Sequence, residues 1–560
     1  MEKLIDLIRP QLIIAGLFLF NGCQTGDQDL ASAQAGISVE DLSADIAILA
    51  SDDFEGRGPS TRGEERTIAY LQQEFADLGL EPGNGESYFQ EVPLVELTTS
   101  PGSGMVIWTK EITTGPSYRR EYVAWTKRVV DRVSLSRSDL VFVGYGIVAP
   151  EYDWDDYAGV DVRGKTVVML VNDPGYATQD KDLFQGNAMT YYGRWTYKFE
   201  EAARQGAEGA FVIHETGPAG YPWDVVRSTW TGPQFDLVTD DMNLSRCAVE
   251  GWFTGELARN LFVLARQDFD SLKAEAARPG FRAVPLDLEI SLTLSNTIRW
   301  STSNNVLALL PGSDRDDEVV IYMAHWDHLG IDPRRDGDQI FNGALDNATG
   351  TAGLLELAEA FSQLKNRPAR SILFLAVAAE EQGLLGSRYY ATHPVYPLAK
   401  TVAALNMDGL NIYGPMKDVT VIGYGNSQLD DYVVKAAKEQ GRVVRPDAAP
   451  EKGYFYRSDH FSFAKEGVPA LYLESGIDHV EHGEDWTREQ MDDYTAERYH
   501  QPSDEFDPAW DLTGAVDDLR LLLDIGYQLA NGSSFPNWSK GNEFRAARDA
   551  MFERSRAGVP

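Results

Sequence analysis

The stretch EVVIYMAHWD, residues 318–327, is an apolar run of strand formers that stops at His325 and Asp327. Two further runs repeat the pattern: SILFLAVAAEE (371–381) closes on Glu380 and Glu381, and TVAALNMDG (401–409) closes on Asp408. NNVLALLPG, DVTVIGYG and PALYLES add more strands. Near-continuous apolar strands have both faces covered, as in parallel sheets packed between helices. Segments with apolar residues at helical spacing alternate with them: ATGTAGLLELAEAFSQL (348–364), SQLDDYVVKAAKEQG (427–441) and AVDDLRLLLDIGYQLAN (515–531). The expected fold class is α/β, a mostly parallel mixed sheet sandwiched by helices. Such sheets bind ligands beyond the carboxyl ends of their strands, where these acids and His325 lie.

The residue types at those ends point to metal chemistry. His325 has Asp327 two residues on, a local partner to orient a metal-bound imidazole, and His328 competes for the ligand role. Asp346, in NGALDNATG, is framed by Gly343 and Gly350. It is short enough to bridge two cations, yet Asp346, Asn347 or Thr349 would also serve simply as a cap for the helix that follows. Glu380 and Glu381 are costly to bury unless paired or metal-bound. Adjacent side chains diverge, so one acid suits a metal and the other a proton; the residues alone leave open which is which. His500, in ERYHQPSDEFD, gains weight only as the last member of this set. Tyr499 beside it is a donor for a developing oxyanion, and Asp504 orients the histidine or its loop. His460, in RSDHFSF, is expected behind the ligands. Two imidazoles with carboxylates and no thiolate favour zinc over magnesium or calcium, and a metal pair implies hydrolysis by activated water.

Outward from this centre the chain divides by texture. Lys3 and Arg9 precede the apolar run Leu12–Phe20, which is too short to span a bilayer and suits a signal-peptide core. The following FNGC places a small residue before Cys23, so residues 1–23 are expected to be a bacterial lipoprotein signal, ahead of an ordinary secretory one, and the protein to be exported and anchored in the envelope or else secreted. Residues 24–36 read as a polar tether. A helix is expected from about Ser38, capped near Ser43 or Asp41. A second carries Ile68, Leu71, Phe75 and Leu78 on one face and stops at Gly79. Residues 37–125 form the first part of the main domain, 126–301 a mostly β insertion, 302–532 the second part, and 533–560 a tail helix. In the insertion, DLVFVGYGIV and GKTVVMLVND are buried strands, and YKFEEAARQGAEGAFVIHE is a helix, a glycine turn and a strand.

These residues, in this order, resemble the M28 family of zinc peptidases through AHWDHLG, GALDNATG, AAEEQGLLGS, NMDG and YHQPSD. The likeness extends to SDDFEGRGPSTRGEERTIAYL and TSNNVLALLPGS, and residues 132–300 are similar to the protease-associated (PA) domain that many members carry as an insertion. The resemblance implies two zinc ions, one held by His325, Asp346 and Asp408, the other by Asp346, Glu381 and His500, with Asp346 shared. It implies Glu380 as general base, Asp327 orienting His325, and Tyr499 supporting the oxyanion. It implies an aminopeptidase acting on peptide substrates. Carboxypeptidases and glutaminyl cyclases are related, and Arg457, in YFYRSDH, keeps a carboxypeptidase open by offering a cation to a substrate carboxylate. A non-catalytic binding protein would lack ligands, and none is missing.

Composition sets the limits. The 560 residues exceed one core, so more than one domain is expected. A hydrophobic share of 43% with 24% charged residues describes a soluble globular chain. The formal net charge of -36 argues against nucleic acid or anionic membrane as a partner, leaving membrane attachment to a lipid at Cys23. Cys247 is the other cysteine, so an internal disulfide in the mature chain is not expected.

Overall fold

The computed structural model describes residues 28–557. The apolar run and Cys23, and with them the signal and lipidation expected there, lie outside the described residues. Residues 28–36, expected as a tether, are helical. Ala33 is buried, and Asp29 accepts hydrogen bonds from the backbone N–H groups of Lys365 and Asn366, each at 3.1 Å. A polar composition hid one buried alanine and one capping acid. Helix α1 (Val39–Leu49) is capped by Ser38, whose hydroxyl accepts from the Asp41 N–H at 3.0 Å, rather than by Ser43 or Asp41. Helix α2 (Arg62–Asp77) buries Leu71 and Phe75, and Gly79 beyond its end takes a φ of 75°.

Strand β1 (Phe89–Pro101) leads into the middle of the chain. There β2 (Tyr122–Trp125), β3 (Arg132–Phe142), β4 (Thr166–Leu170), helix α3 (Trp195–Arg204), β5 (Gly209–His214), β6 (Val249–Thr254), α4 (Gly255–Leu264) and α5 (Phe269–Ala276) follow in order. Strands β3, β4, β5 and β6 pair in parallel, and β2 adds antiparallel to β6. Strand β7 (Val284–Leu310) then runs 27 residues. Its first part pairs with β3, its middle with β1 and its last part with the sheet described next. Residue 301, expected to end the insertion, sits inside β7, where the register with β1 runs unbroken through Ser301↔Leu94 and Thr302↔Pro93. The polar run SNTIRWSTSNN is a paired ribbon.

The second half supplies β8 (Arg315–His325), α6 (Thr349–Ser362), β9 (Arg370–Val377), β10 (Thr401–Asn406), β11 (Asp418–Ile422), α7 (Leu429–Glu439), β12 (Ala470–Ser475), α8 (Gly483–Glu497), α9 (Thr513–Asn531) and α10 (Arg545–Arg556). β8 lies at the centre, parallel to β9 on one side and β10 on the other, and β12 continues parallel to β10. β7 lies antiparallel to β9, and β11 lies antiparallel to β12. The sheet is mixed and parallel at its centre, as the apolar strands predict.

Alternation along β8 shows why these strands read as continuous apolar runs. Val320, Tyr322 and Ala324 pack into one core with α1, α2, α6 and α9. Val319, Ile321 and Met323 face the opposite core, with Tyr390, Phe463 and Trp538. Each fully buried Val or Ile contributes about 1.5–3 kcal/mol over its exposed state. That burial leaves the polar ends of the strands as the place where charge can collect.

Candidate active site

His325 is the last residue of β8, and Asp408 lies two residues beyond the end of β10. Glu380 and Glu381 follow β9 through Ala379, whose φ of 54° turns the chain out of the strand. Asp346 comes from the loop before α6. Its carboxylate caps no helix: Ala348 stands at the N-cap with no side-chain bond. Instead Oδ1 lies 3.3 Å from Nε2 of His325, and Oδ2 lies 3.2 Å from Nε2 of His500. Nε2 of His325 is also 3.2 Å from Oδ1 of Asp408, and Nε2 of His500 is 3.1 Å from Oε2 of Glu381. Two nitrogen–carboxylate clusters therefore share Asp346.

His328 enters the second cluster. Its Nδ1 lies 2.7 Å from Oε1 of Glu381, at an angle that makes no hydrogen bond, and neither ring nitrogen has a hydrogen-bond partner among the described residues. His328, Asp346 and Glu381 bring ligand atoms within 4.8 Å of one another, as do His325, Asp346 and Asp408. His500 and His328 thus both face Glu381, with ring centroids 5.7 Å apart.

The donor set fits divalent metal. Nitrogen and carboxylate oxygen atoms converge without thiolate. Buried Oε1 of Glu381 and the His328 nitrogens have no hydrogen-bond partner, which is costly unless a cation satisfies them. The charges lean on one another. Burial opposes a charge on His325, yet Asp408, Glu380 and Asp346 push its pKa well above the usual imidazole range. Burial likewise opposes charge on Asp346, but hydrogen bonds from His325 and His500 hold it well below the carboxylate range. Glu381, despite burial and the nearby Asp346, is drawn down to about 2 by His328 and His500. Glu380 goes the other way: burial, with Asp408, Glu381 and Asp459 adding to it, raises it well above 4.5. The two adjacent acids are electrostatically distinct, one a carboxylate anchored among imidazoles, the other suited to hold a proton.

Asp327 acts differently from the expectation. Its backbone carbonyl, not its carboxylate, lies 3.1 Å from Nδ1 of His325, while Oδ1 stands off at 4.0 Å. That Oδ1 accepts the Glu380 N–H at 3.0 Å, so the Asp327 side chain positions the β9 exit loop. His460 is buried against Phe455 and Tyr472 and touches none of the clustered ligands; its neighbour Asp459 is the residue whose charge acts on His325 and Glu380. Tyr499 stacks its ring on His500 with centroids 4.0 Å apart, 47% exposed. His500 itself takes a φ of 56°, at the end of the polar stretch that begins with α8, a helix that sequence periodicity did not reveal.

Two residues position the loops: Arg57, which carries no sequence signal, and Asp504, expected from the sequence to orient His500 or its own loop. Arg57 is fully buried and donates to four carbonyls: Trp326 at 2.9 Å, Leu49 at 2.7 Å, Asn342 at 2.6 Å and Gly343 at 2.7 Å. It ties the loop after His325 to the loop before Asp346. Asp504 holds that second loop from the other side, accepting from the N–H groups of Leu345 at 3.1 Å and Asp346 at 3.2 Å. Asn347, joined to Asp346 by a cis peptide, donates to the Met407 carbonyl and accepts from the Gly409 N–H, each at 3.0 Å, which fixes Asp408 relative to Asp346.

Residues 305–523 match the family described as Peptidase family M28. The chain is 31% identical over 169 residues to "Aminopeptidase NAALADL1" of Mus musculus, covering 29% of this chain and 21% of that protein. It is 26% identical over 208 residues to "Aminopeptidase YwaD" of Bacillus subtilis (strain 168), covering 36% of this chain and 40% of that protein. The chain therefore spans well under half the length of these curated relatives. The solved aminopeptidase from Aneurinibacillus sp. strain AM-1 aligns over 90% of this chain and 96% of its own, at 20% identity and a TM-score of 0.48. The paired histidine–carboxylate clusters lie wholly within residues 305–523, the span that is similar to peptidase family M28.

Proposed function

We propose that this chain is a dinuclear zinc metallopeptidase that releases N-terminal residues from peptides. The observation that carries the reading is Asp346, with one oxygen on the His325 side and the other on the His500 side. His325 and Asp408 would hold one ion with Asp346, and Glu381 and His500 the other, with His328 as a further donor. Bound ions of this kind lower the pKa of water and polarise a carbonyl. The side chains do the rest. Glu380, kept in place by the Asp327 carboxylate through its backbone N–H, accepts the proton of the attacking water and delivers it to the leaving amine. Tyr499, fixed by its stack on His500 and open to solvent, directs its hydroxyl at the carbonyl oxygen as charge develops there. The aminopeptidases among the relatives support the choice of substrate end.

Metal analysis and a panel of amino-acyl and carboxy-terminal reporter substrates test this, on the wild type and on Glu380→Gln. About two zinc ions per chain are expected, with hydrolysis of free-N-terminus substrates falling about 100-fold or more in the variant. One metal per chain, or activity that survives the substitution, overturns the reading.

A further inference from the structure

A cavity of about 380 Å³ opens beside the histidine–carboxylate clusters, with Glu380 and Glu381 in its wall. The middle segment supplies an aromatic side: Trp125 stacks on Trp230 at 4.0 Å, and Trp195 meets Trp230 edge-on at 5.0 Å. The cavity also holds Arg194, at the start of α3, and Arg457, two residues before Asp459. These arginines differ from the other charged residues around them. Asp236 is taken by Lys127 at 2.7 Å and by Arg388, and Glu200 by Lys465 at 2.6 Å. Neither Arg194 nor Arg457 has an ion pair with a carboxylate among the described residues, and the Nε of each is buried without a hydrogen-bond partner. Arg194 is only 8% exposed and makes no side-chain hydrogen bond; its guanidinium rests over Trp195 at 5.8 Å. Arg457 spends one nitrogen on the Lys452 carbonyl at 2.6 Å and lies over Tyr454 at 5.2 Å. The like charge of Arg457 adds to burial in lowering the pKa of Arg194 to about 10. A buried guanidinium beside a half-buried one, neither with a carboxylate partner among the described residues and both facing a cleft, is costly to keep empty of anion.

We propose that Arg194 and Arg457 form a carboxylate subsite of the cleft, selecting peptides that carry a negative charge next to the scissile bond. A guanidinium fork matches a carboxylate in shape and charge, and Trp125, Trp195 and Trp230 line the same cavity. This rests on the metallopeptidase reading of the neighbouring cluster. The carboxylate comes either from the terminus of a dipeptide or from an acidic side chain on the leaving residue.

Four substrates separate the sources: Leu-Gly against Leu-Gly-amide for the terminal carboxylate, and Leu-Glu-amide against Leu-Gln-amide for the side chain. KM and kcat are measured on the zinc-loaded wild type, Arg194→Met, Arg457→Met and Arg457→Lys. Binding of the same peptides to zinc-loaded Glu380→Gln is measured by calorimetry. The wild type should favour the charged member of at least one pair about tenfold or more in KM. That ratio should fall toward one in both methionine variants and recover in part in Arg457→Lys, whatever the loss in absolute rate. Equal KM values within both pairs for the wild type, or a preference that survives both methionine variants, overturn the subsite. If no peptide is hydrolysed at all, the peptidase reading fails, while the calorimetric preference still decides whether the arginines bind carboxylate.

Discussion

Arg57 shows how a single side chain sets the geometry of a site it does not enter. Its guanidinium satisfies four carbonyls, two of them on the loop that precedes Asp346 and one directly after His325. Replacing it with Met leaves those carbonyls buried and unsatisfied. A loss of about 3 kcal/mol or more follows from the desolvation of several such groups, read as a lower urea midpoint at constant slope. An unchanged midpoint would show that the loops hold themselves. Asp327 teaches the same lesson at the neighbouring position. The His-x-Asp spacing correctly pointed at an oriented imidazole, but spacing does not distinguish a carbonyl from a carboxylate two bonds away. His460 and Asp459 are adjacent in sequence, and the backbone turn alone decides that the acid faces the cluster.

At the scale of elements, the strands carried the clearest message, because burial on both faces leaves an apolar run with a charged end. Helices that lie on that sheet must approach closely, and α9 does so at Gly526. Its Cα sits against the Tyr322 ring of β8, whose hydroxyl donates to the Leu522 carbonyl at 2.7 Å. A methyl group there runs into the phenol, so Gly526→Ala, although it favours helix, should cost about 1–3 kcal/mol through overpacking. Chemical denaturation checks the sign; stabilisation would mean that α9 shifts freely. Helix α8 was missed because it is largely exposed, with Thr487 its one buried residue, so no apolar stripe marks it. The sequence shows only the end of β7 as a strand because residues 295–302 bury no side chain.

Across the whole molecule, the middle segment and the second half are joined by β7 and by ion pairs over the cavity. Glu200 of α3 meets Lys465 of the second half at 2.6 Å. Burial opposes its charge, but Lys465 and Arg246 bring its pKa from 4.5 down to about 2. A carboxyl lowered in the folded state adds stability above its unfolded value and loses it as pH falls through the folded one. Its contribution is therefore complete above pH 4.5 and gone near pH 2. Glu200→Gln should flatten the acid limb of stability between those values, measured by denaturant midpoints at each pH; an unchanged limb removes this contact from the account.

The sequence by itself determined the α/β class, the strands that end in His325, Glu380, Glu381 and Asp408, and the residue types fit for metal. All of these are local: periodicity, propensity and the cost of burying charge act within a few residues. It also brought forward His500 by order alone. Tertiary structure decided what depends on distant segments meeting. It split Glu380 from Glu381 by setting Glu381 against the imidazoles of His328 and His500, and Glu380 deep among Asp408, Glu381 and Asp459 with His325 opposing them. It gave His328 a place beside Glu381, assigned Arg57 and Asp504 to the loops, and left Arg194 and Arg457 facing a cavity with no carboxylate partner among the described residues. Such roles are set by backbone carbonyls and charges that converge from remote parts of the chain, and no spacing in a linear sequence records where those groups come together.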